Sequence, residues 1–200
     1  FVKSSDGPAK TFISSTSQAD YYLVRVDGND NDSRPYKSIQ VEGFTLNGMK
    51  NWRSGDWAAA ISIVNSTAPV FKNNIIRDVE NFQTLSINQS APTFINNLFY
   101  NNKGNFLNIG WLDSTSAQYK MPRFINCTFT KTQNWGNNGA YEKALIPFIN
   151  CIFWGNDPSS QISANYYSIR NSIVEYQNFA KKNGNLRIDP LFVSEETGDY

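Results

Sequence analysis

One six-position figure organises the alternation of apolar and polar residues in this chain: apolar, any, Asn or Gly, small or apolar, any, apolar. It is written by Val41-Glu-Gly-Phe-Thr-Leu, Phe71-Lys-Asn-Asn-Ile-Ile, Phe94-Ile-Asn-Asn-Leu-Phe, Phe124-Ile-Asn-Cys-Thr-Phe, Phe148-Ile-Asn-Cys-Ile-Phe and Ile169-Arg-Asn-Ser-Ile-Val. Successive copies start 30, 23, 30, 24 and 21 residues apart. Two of them lie in a longer repeat, Ala68-Pro-Val-Phe-Lys-Asn-Asn returning 23 residues later as Ala91-Pro-Thr-Phe-Ile-Asn-Asn. Ile188-Asp-Pro-Leu-Phe-Val, 19 residues after the last copy, reads as a degenerate further turn.

The figure has a direct physical meaning. Alternation on either side of the third position is strand-like, while the third position breaks the phase. Asn and Gly enter left-handed backbone space cheaply, so the break is a tight bend joining two short strands. The bend residues are Gly43, Asn73, Asn96, Asn126, Asn150 and Asn171. Coils stacked at a strand spacing of about 4.8 Å place these residues above one another, where side-chain amides can bond along the stack as a ladder. A third strand per coil is predicted from Ala59-Ala-Ile-Ser-Ile-Val, Thr84-Leu-Ser-Ile-Asn and Phe106-Leu-Asn-Ile-Gly, and less clearly from Ala144-Leu-Ile and Gln161-Ile-Ser. Earlier still, Tyr21-Tyr-Leu-Val-Arg-Val and Ser38-Ile-Gln-Val-Glu-Gly-Phe-Thr-Leu read as strands.

No amphipathic helix of 10–15 residues separates these strands, which excludes a βαβ fold, and a propeller blade needs about 40–50 residues. The expected fold class is therefore all-β, a parallel β-solenoid of about six to seven coils forming one domain over residues 1–200, to which the resemblance named below adds the right-handed parallel β-helix. Composition then narrows the partners. The net charge is +1, so neither nucleic acid nor an anionic membrane is called for. There is no His, which removes the commonest general base and transition-metal ligand. Asn occurs 26 times, an excess that the bends account for in part. No run of 18 apolar residues is present, so no transmembrane segment is predicted in the chain. Phe-Val-Lys-Ser-Ser-Asp-Gly at the start and Glu-Thr-Gly-Asp-Tyr at the end both read as cut from something longer.

The figure, with Ala-Pro-x-Phe before it and Ile188-Asp-Pro-Leu-Phe-Val at the end, resembles right-handed parallel β-helix repeat proteins of the pectate-lyase-like superfold, over roughly residues 20–200. That resemblance implies an exported bacterial protein, Bacteroidetes-type organisms included, located outside the cell or on its surface, outer-membrane lipoproteins among the forms. Activities on this scaffold range from polysaccharide lyases and glycoside hydrolases to adhesins without catalysis, so the fold alone does not give the function.

Chemistry is expected in the segments that follow each figure, because their lengths vary most. They carry Trp52, Trp57, Trp135, Tyr141, Trp154 and Tyr176, the candidate ligand-binding residues. Aromatic rings aligned along a cylinder form a platform for stacking sugar rings; Gln133, Asn134, Asn137, Asn138 and Asn156 are the polar groups nearby. Acidic residues share the same segments: Asp56, Asp78, Glu80, Glu142, Asp157 and Glu175. Glycoside hydrolysis needs two carboxylates flanking one bond, and no spacing in the sequence singles out a pair. Lys50, Arg53, Lys103, Lys131 and Lys143 are candidates for a lyase base, but none lies in a motif that matches a lyase site. No catalytic residue, metal site or cofactor is assigned. Calcium is the one ion considered, and Asp27-Gly-Asn-Asp-Asn-Asp-Ser-Arg-Pro departs from a calcium loop in the place of its Gly and in having Ser38 at the twelfth position.

Cys127 and Cys151 hold the same slot in adjacent copies. They read as two buried thiols, with a disulfide between neighbouring coils as the alternative. The leading expectation is a non-catalytic surface protein that binds polysaccharide or a surface protein complex through this loop corner. A lyase or glycoside hydrolase on the same scaffold is the alternative, and a structural stalk or adhesin segment the third reading.

Overall fold

A computed structural model describes residues 1–15, 21–28, 39–48, 58–65, 68–80, 83–110, 121–135, 145–157, 162 and 167–193. Among them lie eighteen strands and no helix. In chain order they are β1 (Val2–Lys3), β2 (Phe12–Ser14), β3 (Tyr22–Asp27), β4 (Gln40–Glu42), β5 (Thr45–Asn47), β6 (Ala59–Val64), β7 (Val70–Lys72), β8 (Ile75–Arg77) and β9 (Gln83–Ile87). There follow β10 (Thr93–Ile95), β11 (Leu98–Tyr100), β12 (Asn105–Ile109), β13 (Arg123–Ile125), β14 (Thr128–Thr130), β15 (Ile146–Ile149), β16 (Ile152–Trp154), β17 (Tyr167–Arg170) and β18 (Ile173–Val174). All pairings are parallel. The first sheet runs β1-β4-β7-β10-β13-β15-β17, the second β2-β5-β8-β11-β14-β16-β18, and the third β3-β6-β9-β12. The protein is an all-β parallel β-helix.

Every predicted bend residue has a positive φ: Gly43 at 81°, Asn73 at 54°, Asn96 at 53°, Asn126 at 53°, Asn150 at 54° and Asn171 at 50°. Each bend lets the first position of the figure point inward from the first sheet and the last position inward from the second. Two apolar columns result. Val41, Phe71, Phe94, Phe124, Phe148 and Ile169 are in register in the first sheet. Leu46, Ile76, Phe99, Phe129, Phe153 and Val174 are in register in the second. Phe71, Phe94, Phe124 and Phe148 stack nearly flat, with centroids 5.1, 4.9 and 4.6 Å apart. The two columns meet edge to face, as between Phe124 and Phe129 at 5.8 Å and 69°. A fully buried Phe contributes about 1.5–3 kcal/mol from area alone, and each ring pair about 0.5–1.5 kcal/mol more.

The residue after each bend forms a ladder inside the wall. Phe44 N–H donates to Asn74 Oδ1 at 3.0 Å, and Asn74 N–H to Asn97 Oδ1 at 2.9 Å. Further along, Cys151 N–H donates to Ser172 Oγ at 2.9 Å and Ser172 N–H to Asn185 Oδ1 at 3.0 Å. Asn74, Asn97, Ser172 and Asn185 each therefore satisfy a buried donor of the coil before. The bend side chains make a shorter outer ladder: Asn73 Nδ2 to Glu42, Asn96 Nδ2 to Asn73, and Asn150 Nδ2 to Asn126 at 2.7 Å.

Three expectations need correcting. Residues 2–14, outside the expected repeat, already contribute β1 and β2 to the first two sheets. Ile146 belongs to the first sheet rather than to a third strand, and among the described residues the third sheet has four strands. Ile188–Val193 forms no strand; among the described residues the last pairing is the bridge between Ile173 and Leu186, and Ile188, Leu191 and Val193 are exposed. Among the described residues Asn185 is the last rung of the inner ladder, its Nδ2 donating to the Ile169 and Phe179 carbonyls.

The candidate binding corner and its cleft

A second corner follows the second sheet, and it repeats the logic of the first. Gly48, Asp78, Asn101, Lys131 and Gly155 all have positive φ, from 49° to 76°. The next residue again turns inward: Val79, Asn102, Thr132 and Asn156 are buried. Asn102 Oδ1 accepts from Val79 N–H at 3.1 Å, and its Nδ2 donates to the Ile76 carbonyl at 3.0 Å. Asn156 does the same for Thr132 N–H at 2.9 Å and the Phe129 carbonyl at 2.9 Å. Asn156 is therefore a structural rung, and its amide is not available as the sugar-facing group expected from the sequence. The pair Asn101-Asn102, five residues after Asn96-Asn97, was the signal for this corner.

Just before the corner, the last residues of the second-sheet strands form an outward column: Asn47, Arg77, Tyr100, Thr130 and Trp154 in register. Tyr100 and Trp154 are half-buried, and Thr130 between them is fully covered. Lys131 Nζ sits 5.4 Å from the Tyr100 ring centre. Polar pairs border the column: Asn101 Nδ2 donates to Asp78 at 2.6 Å, and Lys103 meets Glu80 at 3.5 Å.

At the C-terminal end of this corner opens a cleft of about 370 Å³, lined by Asn156, Ile162, Glu175, Tyr176, Gln177, Asn178 and Arg187. Glu175 is held by the backbone, its Oε2 accepting from Gly155 N–H at 3.0 Å. The Tyr176 hydroxyl accepts from Trp135 Nε1–H at 3.1 Å. Burial pushes the Tyr176 phenol well above its ordinary value; the Trp135 bond opposes this, and the charges of Glu175 and Asp157 add to it. The cleft thus combines a neutral phenol, a carboxylate, a guanidinium and two amides.

The candidate ring residues separate into three groups. Trp154 and Tyr176 lie at this corner, Trp154 outward and Tyr176 in the cleft. Trp135 does not reach the surface: it is 2% exposed and packs on Phe106, Phe129 and Phe153 at 4.8, 5.4 and 5.4 Å. Phe106 N–H donates to the Asn134 carbonyl at 2.7 Å and Tyr167 Oη to the Trp135 carbonyl at 3.0 Å, which fix the ring inside the cylinder. Trp52, Trp57 and Tyr141 lie outside the described residues. Tyr100 joins Trp154 in the column; it is one of the aromatics of the segments that follow each figure, though outside the six candidates.

Cys127 and Cys151 are free thiols, both 1% exposed. Among the described residues no group of three or more His, Cys, Asp or Glu comes together that could hold a metal ion, and no helix is long and apolar enough to cross a membrane. Compared with known proteins, the chain matches no family model, no curated protein and no solved structure.

Proposed function

We propose that this β-helix is a non-catalytic carbohydrate-binding protein of the cell surface or extracellular space that holds a polysaccharide along its second corner. The observation that carries the reading is the outward column, in which Tyr100 and Trp154 are half-buried and two strands apart. Two strand spacings separate the rings by on the order of 10 Å. Half-exposed rings anchored in a sheet offer flat apolar faces at little entropic cost, and the C–H faces of sugar rings pack on such faces. Lys131, Asn101 and the cleft's Gln177 and Asn178 supply hydrogen-bonding groups beside them. The test is retention on a panel of immobilised polysaccharides. Trp154→Ala and Tyr100→Ala should each lower retention at least tenfold without changing the melting temperature by more than a few degrees. Retention unchanged in both variants, or no polysaccharide retained by the wild type, overturns the reading.

A glycoside hydrolase remains the second reading, because the carboxylates of Glu175 and Asp157 both act on the Tyr176 phenol beside Arg187. It requires the two acids to flank a glycosidic bond. New reducing ends released from a retained polysaccharide, and lost in Glu175→Gln, would favour it over the non-catalytic reading.

A further inference from the structure

We propose that Cys127 and Cys151 are a redox staple: a thiol pair that closes, while the chain folds, to a disulfide joining neighbouring coils. They are the chain's two cysteines, and they occupy consecutive rungs of the inner ladder. The register is set on both sides, with Phe124 opposite Phe148 and Ile125 opposite Ile149 before them and Thr128 opposite Ile152 after. Asn126 N–H donates to the Ile149 carbonyl at 3.0 Å and Ile152 N–H to the Cys127 carbonyl at 2.9 Å, so backbone bonds bracket the pair. The two Cα atoms are thus one strand spacing apart, about 4.8 Å, inside the range of about 4.4–6.8 Å that a disulfide spans.

The two side chains point the same way. Cys127 Sγ donates to the carbonyls of Ile125 and Phe94 at 3.4 and 3.5 Å; Cys151 Sγ donates to those of Ile149 and Phe124 at 3.3 and 3.6 Å. These are the same contacts moved by one coil. Little is lost when they go, because thiols are weak donors. The Ile125 and Ile149 carbonyls also keep the N–H groups of Asn96 and Asn126, each at 3.0 Å. Apart from Phe44 at its start, the rung elsewhere in the ladder is Asn74, Asn97, Ser172 or Asn185, residues that bond the carbonyls better than a thiol does. A need for a small or hydrogen-bonding rung therefore does not account for two cysteines in succession. Parallel side chains hold their Cβ atoms near the strand spacing, just beyond the usual range of about 3.5–4.5 Å, so the two coils draw together slightly at this rung as the bond forms.

The step balances as thiol–disulfide exchange. One thiolate attacks a small-molecule disulfide such as oxidised glutathione and expels one thiolate. The second cysteine then attacks the mixed disulfide and expels the other, and the two protons leave with the two released thiols. Two cysteine thiols are oxidised and one glutathione disulfide is reduced. In the folded protein both sulfurs are covered and burial pushes Cys151 up, holding it as the inert thiol. The state is consequently set during folding and retained afterwards.

The experiment is refolding of the reduced, urea-unfolded full chain with and without a mixture of oxidised and reduced glutathione. With glutathione disulfide present, the expected product is monomeric, lighter by two hydrogens, and without a maleimide-reactive thiol after denaturation. Its Cys127 and Cys151 peptides are linked until dithiothreitol is added, and it melts roughly 5–10 °C higher than the reduced form. Cys127→Ser should fold and show no such shift. Two titratable thiols after oxidative refolding, glutathione adducts in place of the link, disulfide-linked dimers, a linked form that melts no higher, or a shift that persists in Cys127→Ser would each overturn the proposal.

Discussion

Asn96 and Asn97 are neighbours of the same residue type, and the structure assigns them very different energies. Asn97 is a rung: its Oδ1 accepts from Asn74 N–H at 2.9 Å and from Asn74 Nδ2 at 3.1 Å, and its Nδ2 donates to the Phe71 carbonyl at 2.8 Å. The side chain is almost wholly covered, so no water replaces it. Asn97→Ala removes three hydrogen bonds worth about 1 kcal/mol net each, and leaves the Asn74 N–H stranded at a further cost of about 1–3 kcal/mol. The Asn74 Nδ2 keeps the Val41 carbonyl at 3.0 Å, which limits the damage. The expected loss is about 4 kcal/mol, a large share of the stability of an ordinary domain. Asn96 is exposed at the bend, with φ of 53° and one bond of 3.4 Å to Asn73. Asn96→Ala loses little beyond the backbone preference for left-handed space, about 1 kcal/mol, and Asn96→Gly loses almost nothing. Urea unfolding followed by tryptophan fluorescence ranks the three from their midpoints, provided the slope is unchanged. An Asn96→Ala loss equal to that of Asn97→Ala, or an Asn97→Ala loss below about 1 kcal/mol, would refute the division between bend and rung.

Two further outcomes follow from the corner. Trp135→Ala should destabilise the protein by about 3–5 kcal/mol through the cavity left among Phe106, Phe129 and Phe153, whereas Trp154→Ala should change the urea midpoint far less; a reversed order would mean the wrong tryptophan is the core residue. The raised Tyr176 phenol makes folding favour its protonated form, so that contribution is complete below the ordinary value near 10 and is lost as pH rises above it. Tyr176→Phe should therefore lose less stability than the wild type between pH 9 and 11, and parallel losses in urea melts would refute the coupling.

The first corner was legible because its bends fall on Asn and Gly, the residues that enter left-handed space most cheaply, each interrupting an alternating pattern at the same place. The Phe columns were legible because they flank that interruption at fixed positions. The second corner was less so. Its bends include Asp78 and Lys131, and a Lys at a positive φ of 49° leaves no compositional mark. Trp135 was misplaced because it lies in a segment of variable length. The four-stranded third sheet and the Phe106 N–H bond to Asn134 instead draw that segment inward, so the ring serves as core. The first strands were missed because Val2 and Phe12 follow no bend of the repeated kind. Their membership rests on register alone, Val2 beside Val41 and Phe12 beside Thr45. Periodicity reads positions that every coil repeats; it does not see a ring outside those positions that packs into the core.

Burial and hydrogen bonding together narrow where a ligand can be held. Within the third sheet β6 is buried on both faces, since Ala59 through Ile63 are all covered and successive residues point to opposite sides, whereas β3 at its edge exposes Arg25 and Asp27. At the first corner the amides of Asn73, Asn96 and Asn150 are donated to the coil before, leaving the outer ladder engaged with itself. Beside it, the outward column of the first sheet changes from Lys3, Glu42 and Lys72 to Ile95, Ile125 and Ile149 and returns to charge at Arg170, so that an apolar stretch lies between charged ends. The second corner differs because the same few coils supply rings, charges and a concavity together. Trp154 and Glu175 are adjacent when the register of Phe153 with Val174 is carried one residue on, and Glu175 lines the cleft. A ligand bound across that junction would meet an apolar face and fixed polar groups at once, which is why substitutions at Tyr100, Trp154 and Glu175 discriminate among the functional readings better than any change in the repeated figure.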